Sequence, residues 1–201
     1  GWVDGPRIIA AGGVGITGGH ADVSGVKPDL MEFYTDKSIC DGPYDCRRAA
    51  RDAIKYGADW IKITSTGGVM TDRATGTGQQ MEADELTEVV LAAKRMGRKV
   101  ASHAHQEDGI IAALEAGVHG LRLNPGNIRK PEHIKTVASE AKDRNVSIRI
   151  GVNGGSLDPS LYEKHGGLTA AAMVESALQE IAYFEQVGFD HFKISVKASN
   201  V

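Results

Sequence analysis

Excess charge, cysteine and long apolar runs are all scarce in this 201-residue chain, and each scarcity removes a class of function. The 23 basic and 26 acidic side chains leave a formal charge of −3, so no basic excess exists to hold nucleic acid or an anionic membrane. No apolar run approaches the ~20 residues that span a bilayer, and no basic-then-apolar leader opens the sequence. The expected setting is therefore the cytoplasm of a recombinant host. Only two cysteines are present, Cys40 and Cys46. Their spacing is not C-x-x-C, and no further Cys or His pair completes a zinc motif, so both are expected as reduced thiols. No G-x-x-x-x-G-K-[ST] occurs, and the rim glycines read as turn formers.

Glycine, in contrast, is abundant at 25 residues, and it clusters just after apolar segments. Those segments read as buried parallel strands: Arg7–Ala10, Trp60–Ile63, Val100–His103, Leu121–Asn124, Ile148–Asn153 and Phe192–Lys197. Each carries a polar residue where a core strand should be apolar. Side chains alternate across a strand, so Arg149 and Asn153 share one face while Ile148, Ile150 and Val152 share the other. Lys62 with Thr64, Arg122 with Asn124, and Lys193 with Ser195 and Lys197 follow the same rule. Helical patterns separate the strands: Cys46–Tyr56, Ala83–Met96, Glu107–Ala116, Pro131–Arg144 and Leu168–Val187. Gly12–Asp45 and Gly67–Glu82 read as long rim loops, of the kind that bind ligands.

Such alternation predicts an α/β fold, a parallel βα repeat derived from a TIM barrel, in one domain over residues 1–201. A closed barrel needs eight strands and ~250 residues. Six strands leave it incomplete, or completed by association. The first strand, around Ile8, and the last, around Ile194, are expected to have free edges, so a homo-oligomer through the terminal strands is expected.

Residues 5–118 resemble the amidohydrolase superfamily, its prolidase-like and imidazolonepropionase-like members. The likeness rests on Gly5-Pro6-Arg7-Ile8-Ile9, Thr17-Gly18-Gly19-His20-Ala21-Asp22, Gly57-Ala58-Asp59-Trp60-Ile61-Lys62-Ile63 with Gly67-Gly68-Val69, and Ala101-Ser102-His103-Ala104-His105. The resemblance implies that Lys62 stands where a carboxylated lysine bridges two metals, and His103 where a ligand does. His105 shares a face with His103. Other family ligands have no counterpart: the first-strand His-x-His, a His on the strand after His103, and a last-strand Asp. The set Lys62, His103 and His105 is therefore expected as a leftover, with zinc at low occupancy at most. His20, beside Asp22, is expected as a solvated loop residue.

Residues 121–201 resemble a different family, 4-hydroxy-3-methylbut-2-enyl diphosphate synthase. The likeness rests on Leu121-Arg122-Leu123-Asn124-Pro125-Gly126-Asn127-Ile128, Ile148 through Leu157, Val174-Glu175-Ser176-Ala177, and Lys193 through Ser199. It implies an anion site of Arg122, Asn124, Arg149, Asn153 and Lys197. The family's reductive chemistry implies an iron–sulfur cluster carried on a separate domain. Cys40 and Cys46 lie in the other part of the chain, so no iron–sulfur cluster and no other cofactor is expected.

With the family changing near residues 118–120, the parts 1–118 and 119–201 imply a laboratory chimera, a TIM-barrel scaffold without a complete active site. Two alternatives stand beside it. One is a metal-dependent amidohydrolase-type hydrolase using Lys62, His103 and His105. The other is a phosphate- or diphosphate-binding barrel, for which phosphate or sulfate is the expected small partner.

Overall fold

A computed structural model describes residues 5–23, 25–34, 37–68, 76–125, 128 and 130–197. Val69, Thr75, Gly126, Asn127, Ala198 and Ser199, which belong to the motifs and loops above, lie outside the described residues. The strands are β1 (Ala11–Ile16), β2 (Ile39–Cys40), β3 (Trp60–Thr64), β4 (Lys99–His103), β5 (Gly120–Leu123), β6 (Ser147–Asn153) and β7 (Phe192–Lys197). The helices are α1 (Pro43–Lys55), α2 (Ala83–Arg95), α3 (Glu107–Glu115), α4 (Pro131–Asp143), α5 (Pro159–Lys164) and α6 (Ala170–Gln186). All strand pairs are parallel, in the order β2-β1-β3-β4-β5-β6-β7.

The sheet is open, with β2 and β7 at its two edges. From β3 to β7 each crossover steps to the next position in the same direction, and right-handed crossovers then put their helices on one face. Ile61, Ile63, Val100, Leu121, Leu123, Ile148, Ile150 and Val152 bury their side chains on that face. Leu86, Val89, Ile110, Leu114, Ile134 and Val137 meet them from the helices. Each fully buried aliphatic side chain contributes about 1.5–3 kcal/mol. The opposite face is left to the polar residues that alternate with these.

The strand expected at Arg7–Ala10 is not one. Ile8 and Ile9 are exposed, and the chain enters the sheet only at Ala11, in register with Trp60. β1 is instead the glycine-rich Ala11–Ile16, inside the segment expected as a loop, and β2 lies there too. The physical reason is helix packing. A Cβ at Gly12 would come within 2.6 Å of the Ala53 Cβ on α1, so a strand pressed this closely against a helix needs glycine. That same glycine erases the apolar alternation by which a strand is recognised.

The cysteines also differ from expectation. Cys40 and Cys46 form a disulfide, with Cα atoms 4.9 Å apart, and both are buried. The bond ties edge strand β2 to the first turn of α1. Reading C-x5-C by motif spacing missed it because the turn at Asp41–Gly42 folds the helix start back onto the strand. Glu85 reinforces the same corner, accepting from the backbone N–H of Gly42 and of Glu82 at 2.9 Å each.

Helix ends match the sequence reading. Gly57, Gly97, Gly117 and Gly188 adopt positive φ just beyond α1, α2, α3 and α6, while Asn145 does so beyond α4. Among the described residues no helix is long and apolar enough to cross a membrane.

One buried group works against the fold. Glu180 on α6 is 2% exposed, and its Oε1 finds no hydrogen-bond partner. Burial pushes its carboxyl up to about 8. The folded chain therefore holds a proton that the unfolded chain releases near its ordinary value of 4.5. Stability should fall as pH rises from about 4.5 to about 8 and level off above that. Glu180→Gln should flatten this slope and add on the order of 2 kcal/mol at pH 8, read by urea unfolding at pH 5 and 8.

Candidate functional site

Parallel register aligns the polar face into rows. Thr64 pairs with His103, His103 with Arg122, Arg122 with Arg149, and Arg149 with Lys193. Adjacent strands lie about 4.8 Å apart, so three cations, Arg122, Arg149 and Lys193, stand side by side on neighbouring strands. The strands carry six lysines and arginines, Lys62, Lys99, Arg122, Arg149, Lys193 and Lys197, and no aspartate or glutamate. Among the described residues no carboxylate forms an ion pair with Lys62, Arg122, Arg149, Lys193 or Lys197. Like charges directly opposite across strands are destabilising, and among the described residues no ion pair relieves them. Burial and the neighbouring Arg149 both press the Arg122 guanidinium below its usual range. A concavity of about 300 Å³ lies over the row, lined by Lys62, His103, Arg122, Arg149 and Lys193 among others.

The expected anion residues separate into two groups. Arg122, Arg149 and Asn153 alternate with the buried aliphatics and so face the open side, and Lys197 stands opposite Asn153 in register. Asn124 does not present its amide there. It is buried, and its Nδ2 donates to Ser156 Oγ at 2.8 Å, holding the turn that follows β6. Lys193 completes the cation row and was not among the expected site residues. Its alternation with Lys197 was visible in the sequence, but the lateral match to Arg149 depends on register.

Of the expected metal set, His103 and His105 stand beside each other. The His103 and His105 rings lie 4.7 Å apart at 55°. Burial first, then His105, Arg122, Lys62 and His20, push the His103 imidazole down to about 3. Burial first, then His20 and Arg122, push His105 down to about 4. His103 Nε2 lies 3.0 Å from Arg122 Nη1, so one lone pair that a metal would use is already engaged by a cation. No group of three or more His, Cys, Asp or Glu suited to a metal occurs among the described residues. These residues do not fit a metal centre. His20 is not the solvated residue expected. It is half-buried, its ring lies against Gly68, and its backbone N–H donates to Gln80 Oε1 at 2.8 Å. Asp22 turns away to the Gly18 and Val23 amides, at 2.7 and 2.8 Å.

The model of the GcpE TIM-barrel domain matches residues 78–201. The chain belongs to that family. A 4-hydroxy-3-methylbut-2-en-1-yl diphosphate synthase (flavodoxin) of Maridesulfovibrio salexigens is 55% identical over 91 residues, 45% of this chain and 25% of its own length. That of Persephonella marina is 42% identical over 123 residues, 61% of this chain and 34% of its own length. The chain thus spans about a quarter to a third of the curated relatives it matches. Among solved structures, a Xaa-Pro dipeptidase with bound methionine superposes with a TM-score of 0.68 at 28% identity, over 98% of this chain and 48% of that one. An A. niger ochratoxinase shares the fold at a TM-score of 0.65 and 23% identity, over 94% of this chain and 44% of that one.

Both likenesses read from the sequence are therefore present, and the GcpE match begins well upstream of the expected change at 118–120. Residues 78–118 carry both. The expectation of no iron–sulfur cluster and no other cofactor is corrected by the relatives, 4-hydroxy-3-methylbut-2-en-1-yl diphosphate synthases, whose reductive chemistry uses an iron–sulfur cluster. The cysteines of this chain do not fit such a cluster, since Cys40 and Cys46 are bonded to each other and buried.

Close packing around the GcpE arginines gives a direct test of this geometry. A Cβ at Gly151 would come within 2.7 Å of Arg122 Nε. Gly151→Ala should displace the guanidinium and cost about 1–3 kcal/mol, measured by urea denaturation.

Proposed function

We propose that this chain is a recombined barrel scaffold, amidohydrolase-like at its start and GcpE-like at its end, with no working active site from either parent. Its remaining chemical capacity is to bind a phosphate-type anion on the open face of the sheet. The observation that carries this reading is the row Arg122–Arg149–Lys193, three cations in register without a carboxylate partner among the described residues. Guanidinium forks match phosphate oxygens in pairs, and an anion between neighbouring strands would relieve the lateral repulsion. Asn153 and Lys197 extend the site toward the strand C-termini, the end at which barrels of this class place their ligands.

The hydrolase alternative is weaker. Lys62 stands two residues below the His103 row, opposite Ala101, and His103 already faces Arg122. Purified protein should hydrolyse dipeptides and lactams no faster than buffer. Inorganic phosphate or sulfate should raise the melting temperature, and Arg149→Ala should remove at least half of that rise. An Arg149→Ala chain stabilised by phosphate as well as the parent would defeat the anion reading.

A second reading concerns assembly with another copy of the chain. β7 has one free edge, and its helix-side residues Ile194 and Val196 are 46% and 57% exposed. Ile8 and Ile9, apolar and β-branched, are likewise without a strand partner. Burying such surface is worth roughly 25 cal/mol per Å², and a free edge pairs readily with another chain. Light scattering should therefore report a dimer or larger species, and Ile194→Lys with Val196→Lys should shift it toward monomer. A parent chain that stays monomeric at high concentration would end this reading.

A further inference from the structure

His103 of β4 and Arg122 of β5 meet at 3.0 Å, Nε2 to Nη1. A guanidinium offers only N–H donors, so the imidazole Nε2 must be the acceptor. An imidazole that accepts at Nε2 carries its hydrogen on Nδ1 and is neutral. Arg122 is otherwise poorly held. Its Nε is buried without a hydrogen-bond partner, it lies over Gly151 where no side chain can grip it, and its neighbour in register is the cation Arg149.

We infer that His103 is the positioning residue for Arg122, its Nε2 lone pair fixing the guanidinium for an anion on the open face of the sheet. The inference rests on the anion site proposed above and identifies what holds that site's central cation. The choice of side chain matters. A carboxylate at this point would neutralise Arg122 and compete with the anion. A neutral imidazole orients the guanidinium and leaves its full charge available to a ligand. The contact also spans the two family likenesses, because Arg122 belongs to the motif shared with the diphosphate synthases and His103 to the motif shared with the amidohydrolases.

The test uses the whole chain labelled with nitrogen-15, first without phosphate. Long-range imidazole spectra should show His103 with Nε2 unprotonated and the hydrogen on Nδ1, and the Arg122 Nε–H signal should move in His103→Leu. Inorganic phosphate is then titrated into the parent chain, His103→Leu and His103→Gln. Removing the acceptor in His103→Leu should weaken phosphate binding about tenfold, while His103→Gln, whose amide oxygen can accept in the same place, should stay within about threefold of the parent. An Nε2–H tautomer overturns the inference. So does His103→Leu binding phosphate as tightly as the parent. If the parent binds no phosphate, the anion site falls, and the tautomer with the Arg122 Nε–H signal still decides whether His103 holds Arg122. Should His103→Leu fail to fold, the parent tautomer and the His103→Gln titration decide between support and rejection.

Discussion

Strand residues in this chain must satisfy two environments at once, and the parallel one-sided sheet sets both. Helices cover one face, and from β3 to β6 the strand residues buried there are aliphatic apart from Ser102. The other face has no such cover, and its strand residues include Lys62, His103, Arg122, Arg149, Lys193 and Lys197. Parallel pairing then sets Arg122, Arg149 and Lys193 side by side, with no acid on any of the described strands to separate them. The Arg122–His103 hydrogen bond, the role of Gly151, and the proposed preference for an anion all follow from that crowding.

The same one-sidedness explains the edges. A closed barrel gives each strand two neighbours, but here β2 and β7 each have one. At the β2 edge a disulfide and the paired acceptors of Glu85 fix a two-residue strand to α1 and α2. Among the described residues β7 has no comparable fastening: it pairs with β6, and Ile194 and Val196 stay exposed. The two ends of the sheet therefore differ in kind, one stapled and one open.

The site residues that each resemblance implies do not all come together among the described residues. Beside the amidohydrolase-like part, β5 brings an arginine where the amidohydrolase resemblance implies another ligand, and the arginine takes the lone pair of His103. In the GcpE-like part the arginines and Lys197 remain on the open face, while Asn124 is drawn into a structural bond with Ser156. Its neighbour Arg122 stays available because the strand alternation points it away from the core.

Much of this was legible in the sequence, and the limits of legibility have physical causes. Strands β3 to β7 and helices α1 to α4 and α6 were readable because apolar periodicity and a terminal glycine or asparagine are local properties. Which strand residues share a face was equally readable, since alternation needs no knowledge of neighbours. β1 was not, because the close approach of Ala53 demands glycine and glycine carries no periodicity. The disulfide was not, because spacing along the chain does not report how a turn folds back. The cation row was only half legible. The sequence determined that Arg122, Arg149 and Lys193 lie on the polar face, and tertiary structure alone decided that they stand level, because register is set by pairing between segments far apart in the chain.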